Sequence, residues 1–296
     1  MLPRRNDEGA VVYLPTPGGA IFNTAIALGR LGEDVGFFSG MSTDQFGRQL
    51  VNSLNESAVD CRYCTSSDRL TALAIVELKD GNASYTFHDQ GSAGRMLDKH
   101  DLPEFGPDVT ALHFGAISLI PEPCGSTYEA LMAREAESRV ISFDPNIRPG
   151  FIPDFEKHRD RMRRMIALSD IVKVSVEDIA WIEPDQNQQT VIESWLGRPT
   201  SVVVLTKGAE GATAFSNSGE INVDAELASV VDTVGAGDIF NAGFLSGLKQ
   251  SGYLAKQSLD AIPTDALEES LRLGRRVAAI SVTRAGADPP WKEEIF

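Results

Sequence analysis

Cysteine is scarce in this sequence: three in 296 residues, an odd number that offers no framework of paired disulfides. Cys61-Arg62-Tyr63-Cys64 does match C-x-x-C. A closed zinc site needs four ligands, however, and neither a second pair nor a nearby His-x₃-His follows. The pair reads as small buried thiols at the start of a strand, with redox or metal use as the alternative. Positive charge is also short. Lys and Arg number 27 against 42 Asp and Glu, a net charge of 27 − 42 = −15, which argues against the phosphate backbone of nucleic acid as a partner. It does not argue against a nucleotide, because local backbone dipoles hold phosphate in an acidic protein. Long apolar runs are missing too. None approaches the roughly 20 residues that span a bilayer, and no apolar stretch of signal-peptide length follows Arg4 and Arg5. No membrane partner is expected, and the cytoplasm is the expected compartment. Finally, the dipeptide Gly-Lys is absent from the whole chain, which removes the Walker A phosphate loop.

What is present alternates. Short β-rich runs (Val35–Ser39, Ala111–Phe114, Val140–Phe143, Ile171–Val174, Val202–Thr206) are separated by helical patterns. Those patterns are Ala20–Leu31, Gln45–Asn55, Ser126–Ala136, Phe155–Leu168, Thr190–Leu196, Ala236–Lys249 and Ala266–Arg284. Near-continuous apolar strands between helices predict an α/β fold with a mostly parallel sheet covered on both faces. Thr71–Leu78 and Ala83–His88 flank the glycine-containing turn Lys79-Asp80-Gly81-Asn82, which predicts a β-hairpin. With Asp60–Thr65 and Val11–Leu14 it makes a small antiparallel sheet beside the body, drawn from about residues 8–17 and 59–90. No linker, low-complexity tract or repeat divides the chain, so residues 1–296 read as one domain.

Chemistry concentrates in two segments. In Val230 to Phe244, a strand end runs through Asp232-Thr233-Val234-Gly235-Ala236-Gly237-Asp238 into an amphipathic helix. Glycines bring bare N–H groups close to a ligand, and the helix N-terminus adds about half a positive charge, which together make an anion hole. A carboxylate beside such a hole can take a proton from a hydroxyl while the hole stabilises the phosphoryl group under attack. Asp238 equally suits the helix dipole as an ordinary first-turn acid, and local spacing does not choose. A dinucleotide fingerprint needs glycine at 240, where Phe240 stands. His158-Arg159-Asp160 resembles the protein-kinase triplet, but Met165 replaces the loop asparagine and no Asp-Phe-Gly follows, so it reads as a solvated helix face. In the second segment, Pro17-Gly18-Gly19-Ala20 precedes a helix with Asn23 in its first turn. That side chain suits a sugar hydroxyl or an ordinary cap.

Taken together, Gly-Gly-Ala-x-x-Asn-x-Ala-x-x-Leu-x-x-Leu-Gly and Asp-Thr-Val-Gly-Ala-Gly-Asp-x-Phe-x-Ala-Gly, roughly 215 residues apart, resemble the PfkB (ribokinase-like) carbohydrate kinase family over almost the whole chain. Phe37-Phe38-Ser39-Gly40, Gly91 to Leu97 and Phe143-Asp144-Pro145-Asn146-Ile147-Arg148-Pro149 are most similar to its bacterial fructokinase branch. The resemblance implies ATP-dependent phosphorylation of a small sugar, fructose first, with 2-keto-3-deoxygluconate, ribose or a nucleoside as other acceptors of the fold. It implies Asp238 as catalytic base, Gly235, Ala236 and Gly237 as anion hole, and Gly18, Gly19, Asn23 and Arg148 at the sugar. Lys173, Ser175, Thr206, Lys207, Gly208 and Gly211 would hold the nucleotide. Asp178 stands where the family's Asn-x-x-Glu element handles Mg²⁺, with Ser175 in place of the asparagine. Asp232, with the 281–286 segment, would neighbour a monovalent cation such as K⁺. The hairpin becomes a lid over the sugar, whose exposed edges could pair two subunits into a homodimer. The family also opens on a central strand followed by a sugar-gripping aspartate. This sequence begins at what resembles the Met-Leu-Pro after them, so roughly ten residues of that pattern are not in it. A non-catalytic sugar- or nucleotide-binding homologue is the reading that follows if they are dispensed with.

Overall fold

The apolar runs become the interior of one sheet. In the computed structural model, which describes residues 1–5, 7–79, 82–197 and 199–296, the chain order opens with β1 (Leu2–Arg5), β2 (Val11–Leu14), α1 (Ala20–Arg30), β3 (Val35–Gly36), β4 (Gly40–Ser42) and α2 (Gln45–Glu56). It continues with β5 (Val59–Asp60), β6 (Thr65–Ser67), β7 (Leu73–Lys79), β8 (Asn82–His88), β9 (Ala111–Gly115), α3 (Cys124–Glu135), β10 (Val140–Asp144) and α4 (Phe155–Ile166). The last part holds β11 (Ile171–Ser175), α5 (Val176–Ile182), α6 (Gln188–Trp195), β12 (Val202–Thr206), β13 (Ala212–Ser216), β14 (Gly219–Val223), α7 (Ala236–Gln250) and α8 (Thr264–Ser281).

The main sheet has six strands in the order β14-β13-β12-β11-β10-β9. Strands β9 to β12 are parallel, and β13 and β14 add an antiparallel edge. Period-two alternation sends side chains to opposite faces. Ile141, Phe143, Val172 and Val174 enter one apolar cluster with Met132, Met162 and Ile179, and so meet α3, α4 and α5. Val140, Ile171, Val202 and Val204 enter the other, with Phe240, Phe244, Leu267 and Leu271 of α7 and α8. The two-faced cover is the predicted α/β architecture.

The smaller pieces do not form the single antiparallel sheet expected of them: residues 61–64 turn instead of continuing a strand, and the flanking β5 and β6 pair parallel with β3 and β4, apart from the antiparallel pairs β1–β2 and β7–β8. The hairpin forms as β7 paired antiparallel with β8, its predicted turn residues Asp80 and Gly81 lying outside the described residues. Val11–Leu14 pairs with β1, a strand the pattern does not announce, and Met1 docks that unit on β7 through its ammonium to Ala74 O at 2.9 Å. Of the predicted strand Val35–Ser39 only Val35–Gly36 is extended, as β3 paired with β5; β4, paired with β6, follows it at Gly40–Ser42. Cys61 and Cys64 are free and half-buried, and burial pushes Cys64 up to about 12, so both thiols are protonated at neutral pH. His158 departs from the solvated face expected of it: it is buried on α4 with its ring against Trp181.

Candidate active site

Two glycine-started helices lie side by side with their first turns in contact. α7 begins at Gly235, whose backbone is left-handed at φ 76°, and no side chain caps it. A Cβ there would stand 2.6 Å from Ala287 Cβ, so both backbone and space require glycine. α1 begins at Gly19 (φ 133°), again without a side-chain cap. Their N–H groups are therefore not consumed by the protein's own caps. Because α1 packs along α7, Asn23 reaches Asp238: its Nδ2 donates to Oδ2 at 2.9 Å, and Thr24 Oγ1 donates to the Asp238 carbonyl at 3.1 Å. The two motifs read as 215 residues apart are in contact.

The ends of β10 and β11 complete the cluster. One step beyond the Phe143–Val172 register, Asp144 and Lys173 point to the α7 face, and Lys173 Nζ donates to Asp144 Oδ2 at 2.9 Å with both residues buried. The ammonium lies under the glycine turn, 3.1 Å from where a Gly237 Cβ would be. Asp144 Oδ1 is buried and has no hydrogen-bond partner among the described residues. Asn146 follows with a left-handed backbone and donates Nδ2 to Asp238 Oδ1 at 3.1 Å. Sequence reasoning left Asn146 and Asp144 without a role. A visible signal existed for the pair, since Lys173 is a charge inside an otherwise apolar strand, which is rare unless partnered.

Burial raises the Asp238 carboxyl to about 6, against the hydrogen bond from Asn23; Asp144 adds to the rise while Lys173 and Arg148 oppose it. A buried carboxylate with a value near neutrality is suited to accept and release a proton. Lys173 goes the other way: burial favours its neutral form, but Asp144, Asp178 and Asp238 outweigh this and hold it charged.

The remaining predicted residues are distributed around this centre. Gly18 and Gly19 are exposed beside Asn23, and Arg148 is exposed after the β10 turn. Ser175 caps α5 in a reciprocal box with Asp178, which accepts from Ser175 N and Oγ at 2.9 Å each and from Ile147 N at 2.8 Å. Burial, and then Asp144, raise the Asp178 carboxyl. Thr206 and Lys207 end β12; Lys207 N donates to Gly211 O at 2.8 Å, closing a loop in which Gly208 and Gly211 both have positive φ. Asp232 accepts from Val234 N at 3.0 Å and Gly286 N at 2.8 Å, joining the two segments named for a monovalent cation. A separate open cleft of about 740 Å³ beside α2, lined by Met41, Arg48 and Cys64 among others, contains no carboxylate and none of these residues.

A buried carboxylate in the first turn of a helix without a side-chain cap, beside a glycine turn, suits a phosphotransferase with an alcohol acceptor. Comparison with known proteins agrees. The pfkB family carbohydrate kinase model matches residues 13–294. A fructokinase from Rhizobium leguminosarum bv. trifolii is 50% identical over 267 residues, covering 90% of this chain and 82% of that protein. Among solved structures, the Vibrio cholerae O395 fructokinase in fructose-, ADP- and calcium-bound form superposes with a TM-score of 0.81 at 27% identity, covering 97% of this chain and 90% of that one. The Xylella fastidiosa fructokinase with bound ATP gives 0.87 at 27% identity over 97% of this chain and 90% of that one. The chain belongs to the pfkB family of carbohydrate kinases. It is a sugar kinase of ribokinase-like fold.

Proposed function

We propose that this kinase transfers the γ-phosphoryl group of ATP to the 6-hydroxyl of fructose. The observation that carries the reading is the placement of Asp238: buried, held by two amides, and set in the first turn of a helix whose N-terminus is left uncapped. The 50% identical fructokinase supports fructose as acceptor. Asp238 takes the hydroxyl proton as the oxygen bonds to the γ-phosphorus; the bond to the ADP oxygen breaks, and the proton later leaves Asp238 to solvent. Backbone N–H groups of Gly235, Ala236 and Gly237 stabilise the charge that develops on the transferring group. The Lys173 ammonium adds a fixed positive charge beneath that turn.

Gly18, Gly19, Asn23 and Arg148 hold the acceptor in this reading, and Ser175, Thr206, Lys207, Gly208 and Gly211 line the nucleotide. Mg²⁺ fits the donor set through Asp144, whose Oδ1 has no partner among the described residues, more readily than through Asp178, whose oxygens already accept three protein donors. Bound with ATP, the ion neutralises phosphate charge. Each Asp232 oxygen accepts one backbone donor and keeps lone pairs for a monovalent cation such as K⁺. The strands β1, β2, β7 and β8 act as a lid, and the exposed side chains of Val11, Val12, Tyr13 and Leu14 offer a face for pairing two subunits in the cytoplasm.

The test is ADP release with fructose, ribose, 2-keto-3-deoxygluconate and a nucleoside as acceptors, with ³¹P NMR to locate the ester. The expected result is fructose-dependent ADP formation and a 6-phosphate. Turnover with another sugar alone replaces the acceptor, and sugar binding by calorimetry without any ADP release makes the chain a non-catalytic binding protein.

A further inference from the structure

The turn after β10 contains a residue that no motif assigns. Asn146 has φ 44°, a conformation tolerated by asparagine and glycine but strained for most side chains. Such a conformation persists where the surroundings over-determine it. The surroundings do so here. At one end Asp144 is fixed by Lys173 at 2.9 Å, and at the other Ile147 N donates to Asp178 Oδ1 at 2.8 Å. Asp178 is in turn locked by Ser175 N and Oγ. What this pinned turn delivers is one amide, Asn146 Nδ2, to Asp238 Oδ1 at 3.1 Å.

A carboxylate has about four lone-pair positions. Asn23 occupies one on Oδ2 and Asn146 one on Oδ1, and the two amides arrive from different elements, α1 and the β10 turn. Two donors on different oxygens stop the carboxylate from rotating, which a single donor does not. We propose that Asn146 is a positioning residue for the base: its amide, aimed by the left-handed 144–147 turn, clamps the Asp238 carboxylate against Asn23 and satisfies its buried Oδ1. The inference rests on Asp238 being the base of the proposed reaction. It also gives Asp178 work in this chain independent of any metal, as the anchor of the turn.

Asn146→Gly is the sharp test, because glycine adopts the positive φ freely and only the amide is removed. The charged groups facing Asp238 are Asp144 from β10, Lys173 from β11 and Arg148 beyond the turn, with Asp178 from α5 behind Lys173; all remain in the variant. A hydrogen bond to the ionised form favours it, so its loss must raise the carboxyl pKa. The ¹³C carboxyl resonance of Asp238 should titrate near about 6 in the wild type and about one unit higher in Asn146→Gly. Turnover with fructose and ATP should fall by about 10- to 100-fold with KM for both changed by less than about threefold, and its acid limb should move up with the resonance. Asn146→Asp, also tolerated in this conformation, should move the midpoint further upward because it adds a like charge. If Asn146→Gly does not fold, Asn146→Asp decides. An unmoved midpoint and acid limb in the folded variant overturn the role of Asn146. Absence of sugar-dependent ADP release by the wild type overturns the kinase reading instead, and the titration still reports on the clamp.

Discussion

The eight α-helices among the described residues start in three ways: four on a side-chain cap, two on a glycine, and two, α3 and α8, on Pro123 and Pro263 without a side-chain cap. α2, α4, α5 and α6 start on Asp44, Asp154, Ser175 and Asn187, and in each the side chain accepts a hydrogen bond from the backbone N–H three residues on. α1 and α7 start on Gly19 and Gly235 and have no side-chain cap. Replacing a capping side chain by alanine costs a helix about 1 kcal/mol but by glycine only a few tenths, so the glycine starts free their N–H groups at little cost in stability. They are also the two helices whose first turns meet at Asp238. Lack of a cap alone does not mark a site, since α3 and α8 lack one too; what sets α1 and α7 apart is a glycine start beside a buried carboxylate, an arrangement that suits a charged ligand.

The contrast can be broken at several points, the largest effect first. Asp238→Ala removes the base and should lower kcat by about 10²–10⁴-fold, measured by coupled ADP release, while the fold persists in far-UV circular dichroism. Lys173→Met leaves Asp144 as a buried, unpaired charge and should destabilise the protein by about 3–5 kcal/mol in urea unfolding; Lys173→Met combined with Asp144→Leu should recover most of that loss without restoring turnover. Gly235→Ala sets a side chain at φ 76° against Ala287 and displaces the anion-hole donors, so kcat should fall about 10²–10³-fold. At the capped end, Asn187→Ala should cost only about 1 kcal/mol and leave kcat and KM at wild-type values.

Much of this was legible before any coordinates. Strand and helix positions in the α/β body agree within a few residues because period and apolar content act locally, as at Val202–Thr206, where expectation and structure coincide. The β13–β14 hairpin escaped notice because Ala212–Ser216 and Gly219–Val223 include alanine, threonine, serine and glycine, and their strand character comes from pairing, β13 with β12 and β14 with β13. α5 is seven residues long, too short to show a period. In the site, Asp238 and Asn23 were readable from glycine-rich helix starts. Asn146 was not, since its role depends on a backbone angle and on a contact 92 residues away. Asp178 was read as a metal residue from its position, whereas its burial beneath Ser175 and Ile147 is a tertiary fact.

The central claim is that Asp238, held by Asn23 and Asn146 at the open end of α7, is the group that takes the acceptor proton. Burial raises its carboxyl, so the base form is lost as pH falls through the raised value. The pH dependence of kcat for fructose-dependent ADP formation tests this most directly. A unit-slope decline below a midpoint near 6 is predicted, abolished along with the bulk of the rate in Asp238→Ala. A flat profile between pH 5 and 8, or an Asp238→Ala variant that keeps wild-type turnover, would contradict it.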